Sequence, residues 1–351
     1  MPIYPVKTVM QLYIDSYGAY FGVRNGMFWL KPKQHPGQAF AIRKVKCIFL
    51  TKGVQLSSDA LLLALEHSIP LILIDGIGRS LGYVWSGQYG SVSTLRKQQA
   101  LFADHRLGMD WVQTILTQRL LYQLRNLEII GKELAQFPEK DYWNAAYQSN
   151  LPLLKRQLQR WQNHVPNKTL PLTDIAATFR GIEGTASRFY YPCLSAALPP
   201  EWRFEKRAKR PAYDAFNALL NYLYGMLYPL VELSLIKSGL DPYMGVLHTD
   251  RYNRPTLVYD CIELHRHWAE YVAVTIVNSG DLSLSDFAEP TALEGMRLLS
   301  SGKNVVIKAM LDYLEARELY QGQQRKRMTI IDLEALQLAT HIRNQTLSSK
   351  D

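Results

Sequence analysis

Four residues late in the chain have the side chains that hard-cation chemistry needs. Glu183 stands in GIEGTASRFYYP (181–192) and His248 in GVLHTD (245–250). Asp260 and Glu263 share LVYDCIEL (257–264). Carboxylate oxygens with one imidazole suit a divalent ion such as Mn²⁺ or Mg²⁺. The net charge of +9 favours a polyanionic partner. A metal site in a basic protein points to metal-assisted chemistry on a phosphodiester.

Each residue has a blander reading. Asp260 and Glu263 are three apart at the start of a predicted helix, so both face one side of one turn. The helix dipole favours acids there, and these two residues alone prefer that explanation. Glu183 has small neighbours, Gly181, Gly184 and Ala186. They admit a substrate or simply another helix. Arg188 and Tyr190 follow within two turns and suit a phosphate and a base, or a surface ion pair and a core aromatic. A lone loop histidine is usually solvated, but His248 has an apolar lead-in and arginines downstream, Arg251 and Arg254. His265 and His267 remain rival ligands, and His267 could share a helix face with Glu263.

Two basic runs, RFEKRAKRP (203–211) and GQQRKRM (322–328), are candidates for neutralising phosphates; such runs are more often solvated faces. There is no GxxxxGK[ST] loop, so nucleotide hydrolysis is not expected. Gly76, Gly78 and Gly82 follow a strand but open no periodic helix, which argues against a dinucleotide fingerprint. HExxH is absent.

The positioning elements fall into two groups. Residues 12–17, 26–32, 47–51, 70–75 and 78–87 read as strands, with Asn25-Gly26 as a turn and 57–68 as a short helix capped by Ser57 or Ser58. From residue 94 the period and propensity are helical: 94–136, 150–164, 172–198, 214–240 and 261–280. The expected architecture is α+β. A small β-sandwich-like N-terminal domain (1–93) precedes a large all-α C-terminal domain (94–345) and a polar tail (346–351). No apolar run reaches the length of a membrane span, and IPLILI (69–74) fits a buried strand. The N-terminus is unlike a signal peptide, and the three scattered cysteines suggest neither disulfides nor a cysteine zinc site. A cytoplasmic protein with no membrane association is expected.

Four segments, in order, resemble the CRISPR-associated adaptation integrase, over nearly the whole chain. They are Glu183, Gly184, Ser187 and Tyr190; Arg210, Pro211, Asp214, Asn217, Leu220, Asn221, Tyr222 and Tyr224; Gly239, Leu240, Pro242, Tyr243, Gly245, Leu247 and His248; and Leu257, Val258, Tyr259, Asp260, Glu263 and Arg266. The resemblance implies one divalent metal per active site, held by Glu183, His248 and Glu263. The last position is often Asp in that family. Asp260 matches a neighbouring acid and Arg266 also matches, which lowers the standing of His267. A homodimer through the N-terminal β domains is implied, with a small ferredoxin-like companion protein bridging two dimers.

The activity implied is joining the 3′-hydroxyl ends of a short DNA duplex to the repeat of a CRISPR array by direct transesterification, with nicking of branched DNA as a side reaction. Asp260 would orient a ligand or help accept the hydroxyl proton. Arg188, Arg207, Arg210, Arg251, Arg254 and Arg266 are candidates for DNA contact, with Tyr190 and Tyr259 for stacking on a terminal nucleotide. Two other readings stay open: a structure-specific DNA repair nuclease, and a basic DNA-binding scaffold without catalysis.

Overall fold

The computed structural model describes residues 10–75, 80–86, 93–134, 140–164, 170–209, 211–248, 252, 254–291 and 294–345. Arg210, Arg251 and the tail from 346 therefore lie outside the described residues. The chain divides into two compact units, Met1–Tyr89 and Gly90–Asp351.

The first unit holds two four-stranded sheets. One has β1 (Met10–Ile14), β5 (Val45–Leu50) and β7 (Leu71–Ile74) in parallel, closed by antiparallel β8 (Ser80–Val84). The other runs β4 (Gln38–Phe40), β3 (Met27–Lys31), β2 (Tyr20–Arg24) and β6 (Gln55–Leu56). Asn25 and Gly26 adopt φ of 51° and 67°, the positive values that a two-residue hairpin between β2 and β3 demands. Helix α1 (Ser58–Glu66) starts where Ser57 accepts the Ala60 amide at 3.2 Å. Leu12, Ile48 and Leu71 from one sheet, Phe21 and Phe28 from the other, and Ala60 and Ala64 of α1 make one core. The sequence pattern passes over β2, β4 and β6, because short strands of mixed polarity carry little period.

The second unit is mainly helical. Its elements are α2 (Ser93–Ala103), α3 (Arg106–Glu133), α4 (Lys140–Gln162), α5 (Leu172–Ala196), α6 (Ala215–Lys237), α7 (Thr256–Cys261), α8 (Arg266–Ser279), α9 (Ser300–Glu315) and α10 (Arg327–Asn344). The long stretch expected as one helix from 94 breaks at 104–105, where the His105 ring accepts the Leu107 amide and caps α3. Gly108 makes that sharp corner possible, since a Cβ there would lie 2.4 Å from the Phe102 carbonyl oxygen.

The expected α+β architecture, strands first and helices after, is what the chain adopts, with three details to add. The helical unit also carries two short strand pairs: β9 (Phe287–Ala288) with β10 (Arg297–Leu298), and β11 (Arg317–Tyr320) with β12 (Gln323–Lys326). Gln321 and Gly322 take φ of 48° and 76°, so the second pair is another tight hairpin, placed inside what reads as a basic run. Within that run Arg327 is tied to Glu318 and Lys326 to Glu315, so both charges are met internally. Finally, α6 is long and apolar enough to cross a membrane by length and composition. Its most apolar window is 83% buried within the fold, and that burial accounts for the composition.

Candidate active site

Glu183 projects from the middle of α5, a helix that packs on α3 and α4. Gly181 and Gly184 flank it, and a Cβ at either would meet nothing within 4 Å. Their smallness therefore serves no helix contact among the described residues, and the face around Glu183 stays open to them. Arg119 reaches this carboxylate from α3. Its Nη1 donates to Glu183 Oε1 and also lies 2.8 Å from Glu263 Oε2. Two carboxylates from different elements thus converge on one positively charged nitrogen.

Burial pushes the Glu183 carboxyl up, but Arg119, aided by Arg266 and His248, outweighs it and holds the group below the usual carboxylate range. Burial pulls the Arg119 guanidinium down, and Glu263 and Glu183 together lift it above its ordinary value. Both groups are charged in the folded protein.

Asp260 and Glu263 do not share a helix face as the sequence suggests. Helix α7 ends at Cys261, and a 3-10 turn, Ile262–Leu264, separates it from α8. The two acids consequently serve different partners. Glu263, 5% exposed, accepts Arg266 Nε at 2.8 Å with Oε1. Its Oε2 has the Arg119 charge nearby but no aligned hydrogen bond among the described residues. Asp260, 3% exposed, turns to the loop before α7. It accepts the amides of Val246 (2.6 Å), Leu247 (3.1 Å) and His248 (3.2 Å), and its Oδ1 lies 2.6 Å from His248 Nδ1.

That last contact decides the imidazole tautomer. A carboxylate at Nδ1 accepts the proton held there and leaves Nε2 to face outward, the arrangement that carboxylates behind metal-binding histidines impose. The loop that presents the ring is fixed at several points. Arg180 donates to the Leu247 carbonyl at 3.0 Å, and the Gly245 amide donates to Thr256 Oγ1 at 3.0 Å. Gly245 cannot carry a side chain: a Cβ would sit 2.7 Å from both the His248 carbonyl oxygen and Thr256 Cβ. Tyr259 stands edge-on to the His248 ring at 5.9 Å.

The donors fit a hard divalent cation in kind: two carboxylates aimed at the Arg119 charge, and an imidazole whose Nε2 has no partner among the described residues. As they stand, no three His, Cys, Asp or Glu side chains among the described residues are grouped closely enough to hold a metal. The guanidinium of Arg119 takes the place between two of them.

The rival histidines belong to the core. Burial, then His265 and nearby arginines, drives the His267 ring well below its ordinary range, and the ring stacks on Tyr122 at 4.3 Å. His265 pairs with Glu334 at 3.1 Å, on the wall of a separate cavity of about 250 Å³.

Three expected DNA contacts are corrected. Tyr190 is fully buried, donating to Glu270 Oε2 at 2.7 Å and accepting Asn126 Nδ2 at 3.0 Å, so it cannot stack on a nucleotide. Arg207 spends its donors on Asn217 (2.9 Å) and Asn221 (2.6 Å). Arg266 is committed to Glu263 and, at 3.1 Å, to the Tyr228 hydroxyl. Arg188 and Arg254 are exposed and meet no carboxylate among the described residues.

Sequence reasoning misses Arg119. It lies on the apolar stripe of α3 with Val112, Leu116, Leu120 and Leu127, all buried. A charge on such a stripe demands a partner carboxylate, and that was the available signal. Also missed is a groove of about 770 Å³ between α4 and α5, lined by Arg156, Arg160, Asn163, His164, Thr178 and Thr185. It reaches Gly181 and Ile182, next to Glu183. Arg156 and Arg160 are exposed and meet no carboxylate among the described residues.

A family model described as CRISPR associated protein Cas1 matches residues 12–312. The CRISPR-associated endonuclease Cas1 1 of Archaeoglobus fulgidus is 25% identical over 344 residues, which cover 96% of this chain and 97% of that protein. A casposase bound to its integration product superposes with a TM-score of 0.78 at 19% identity, over 97% of this chain and 92% of the casposase. A chain of a Cas6-RT-Cas1–Cas2 complex gives 0.74 at 22% identity, over 97% of this chain and 35% of that one. At these identities the two structures establish a shared fold.

Proposed function

The chain belongs to the CRISPR-associated Cas1 family, and on that premise we propose that it is a metal-dependent DNA integrase and endonuclease of CRISPR adaptation. The observation that carries this reading is the convergence of Glu183 and Glu263 on one cation, beside a histidine whose Nδ1 is held by Asp260. The relative from Archaeoglobus fulgidus is named an endonuclease, and the casposase is bound to an integration product; both support the reading.

In the proposed site Glu183, Glu263 and His248 Nε2 would hold one Mn²⁺ or Mg²⁺. Bound there, the ion would supply positive charge against the phosphate under attack and the departing oxygen. Asp260 is a positioning residue: it fixes the His248 tautomer and the 246–248 backbone together. Arg266 holds Glu263 in place. Tyr259, beside the imidazole and only half-buried, is the aromatic that remains for orienting a terminal nucleotide. Exposed Arg188 and Arg254, with Arg156 and Arg160 along the α4–α5 groove, hold the sugar-phosphate backbone.

The nucleophile in this reading is the 3′-hydroxyl of the incoming DNA, so one phosphodiester replaces another and no ATP is consumed. With water as nucleophile the same groups hydrolyse DNA. The proposed assembly is a homodimer through the strand-rich units, working with a small ferredoxin-like companion protein on double-stranded DNA. The chain that resembles this one within a Cas6-RT-Cas1–Cas2 complex supports a companion of that kind.

The test is strand transfer from a labelled 3′-overhang duplex into a plasmid carrying a leader and repeat, with the companion present. Label should join the plasmid with Mn²⁺ and fail to join with EDTA, with Glu183→Ala or with His248→Ala. Nicking without joining would select the repair-nuclease reading. Joining that survives both substitutions would overturn the site.

A further inference from the structure

The place between Glu183 and Glu263 is held by a cation that belongs to the chain. Arg119 Nη1 touches both carboxylates, and the Arg119 side chain is only 7% exposed. With Arg266 on Glu263 and Asp260 on His248, two guanidiniums face three carboxylates. A divalent ion added while both guanidiniums stay would turn that net negative charge positive. Arg119 and a metal therefore compete for the same oxygens.

An alternative seat for Arg119 is built beside it. Gln123 lies one turn further along α3, is 2% exposed, and neither its Oε1 nor its Nε2 has a partner among the described residues. Arg119 Nε is likewise buried without one. Arg119, Gln123 and Glu183 line one small cavity with Leu116, Trp161 and Ile182. Buried amide and guanidinium groups are rarely left unpaired, because each orphan costs a desolvation penalty. An orphan acceptor one turn from a crowded guanidinium is a place for that guanidinium to go.

We infer that Arg119 is the resident cation of the metal-free site, keeping Glu183 and Glu263 together, and that it hands them over on metal binding by turning to Gln123. This rests on the metal-site reading above. It gives Arg119 two duties: it prevents half-buried Glu183 and buried Glu263 from repelling each other when no metal is present, and it sets the affinity at which the metal enters.

The experiment is Mn²⁺ titration by calorimetry, paired with thermal unfolding with and without Mn²⁺, on the full chain. Wild type is compared with Arg119→Gln, Gln123→Leu and Glu183→Gln. Arg119→Gln should unfold at lower temperature without metal, gain a larger stabilisation from Mn²⁺ than wild type, and bind Mn²⁺ about tenfold more tightly. Gln123→Leu should bind Mn²⁺ several-fold more weakly than wild type, with little change in metal-free unfolding. If Arg119→Gln binds Mn²⁺ no more tightly than wild type, the competition does not exist. Should that variant fail to fold without metal, Gln123→Leu decides, and unchanged Mn²⁺ affinity there overturns the handover. Glu183→Gln separates the two levels. If wild type binds no Mn²⁺, or Glu183→Gln binds it as well as wild type, the metal-site reading itself fails.

Discussion

Two buried acidic centres lie within the helical unit, and they are balanced in opposite ways. Glu270 on α8 is fully buried and accepts one neutral hydroxyl on each oxygen, from Tyr190 and Tyr224, both at 2.7 Å. Glu183 and Glu263 are balanced by guanidiniums, and Glu263 Oε2 has no aligned donor among the described residues. Each Glu270 oxygen has a donor and the side chain is fully buried, which suits a structural tie between α5, α6 and α8. The pair at Glu183 is held by charge, sits at an open face and keeps spare acceptor capacity. Glu270 is met by neutral hydroxyls, the Glu183 pair by charges.

The largest expected effect breaks the closed centre. Glu270→Leu leaves the Tyr190 and Tyr224 hydroxyls buried without their acceptor, at about 1–3 kcal/mol each. Chemical denaturation should show that loss, while Mn²⁺ affinity in the surviving folded protein stays at the wild-type value. A stable variant with damaged metal binding would mean that the two centres are not separate.

Asp260→Asn probes the open centre through the contact with His248 Nδ1. It keeps one acceptor oxygen for the 246–248 amides but weakens control of the His248 tautomer. Metal affinity should fall about 10- to 100-fold. Adding His248→Ala should then cost little more, because the two residues act as a unit. Independent, additive losses would remove Asp260 from its positioning role.

The smallest effect concerns the groove. Arg156→Ala and Arg160→Ala should each weaken DNA binding and reduce the slope of log affinity against log salt by roughly one. Mn²⁺ affinity should not change. Salt slopes equal to wild type would place the backbone track elsewhere.

The contrast also explains what could be read from the chain beforehand. Glu183, His248, Asp260 and Glu263 announce themselves by type and by local motif. The order of strands then helices is visible because hydrophobic period differs between them. Partnering is another matter. Asp260 and Glu263 are three residues apart, yet a 3-10 turn sends them to different neighbours. Nothing local in YDCIE signals that turn. Tyr190 looks like a stacking residue by proximity to Glu183, but its position faces the core, where Glu270 waits 80 residues away. Arg207 and Arg266 look like phosphate ligands because charge is visible in sequence and its internal satisfaction is not. Arg119 was legible in principle, as a charge on a buried stripe, and its partners 64 and 144 positions later were not.

The central claim is that Glu183, Glu263 and His248 bind one divalent ion together. Crystals soaked in Mn²⁺ and measured at an energy where manganese scatters anomalously test it most directly. The account predicts one peak per chain within coordination distance of a Glu183 oxygen, a Glu263 oxygen and His248 Nε2, with Arg119 moved off the carboxylates. A peak bound by other residues, or no peak while Arg119 still bridges Glu183 and Glu263 at saturating Mn²⁺, would contradict it.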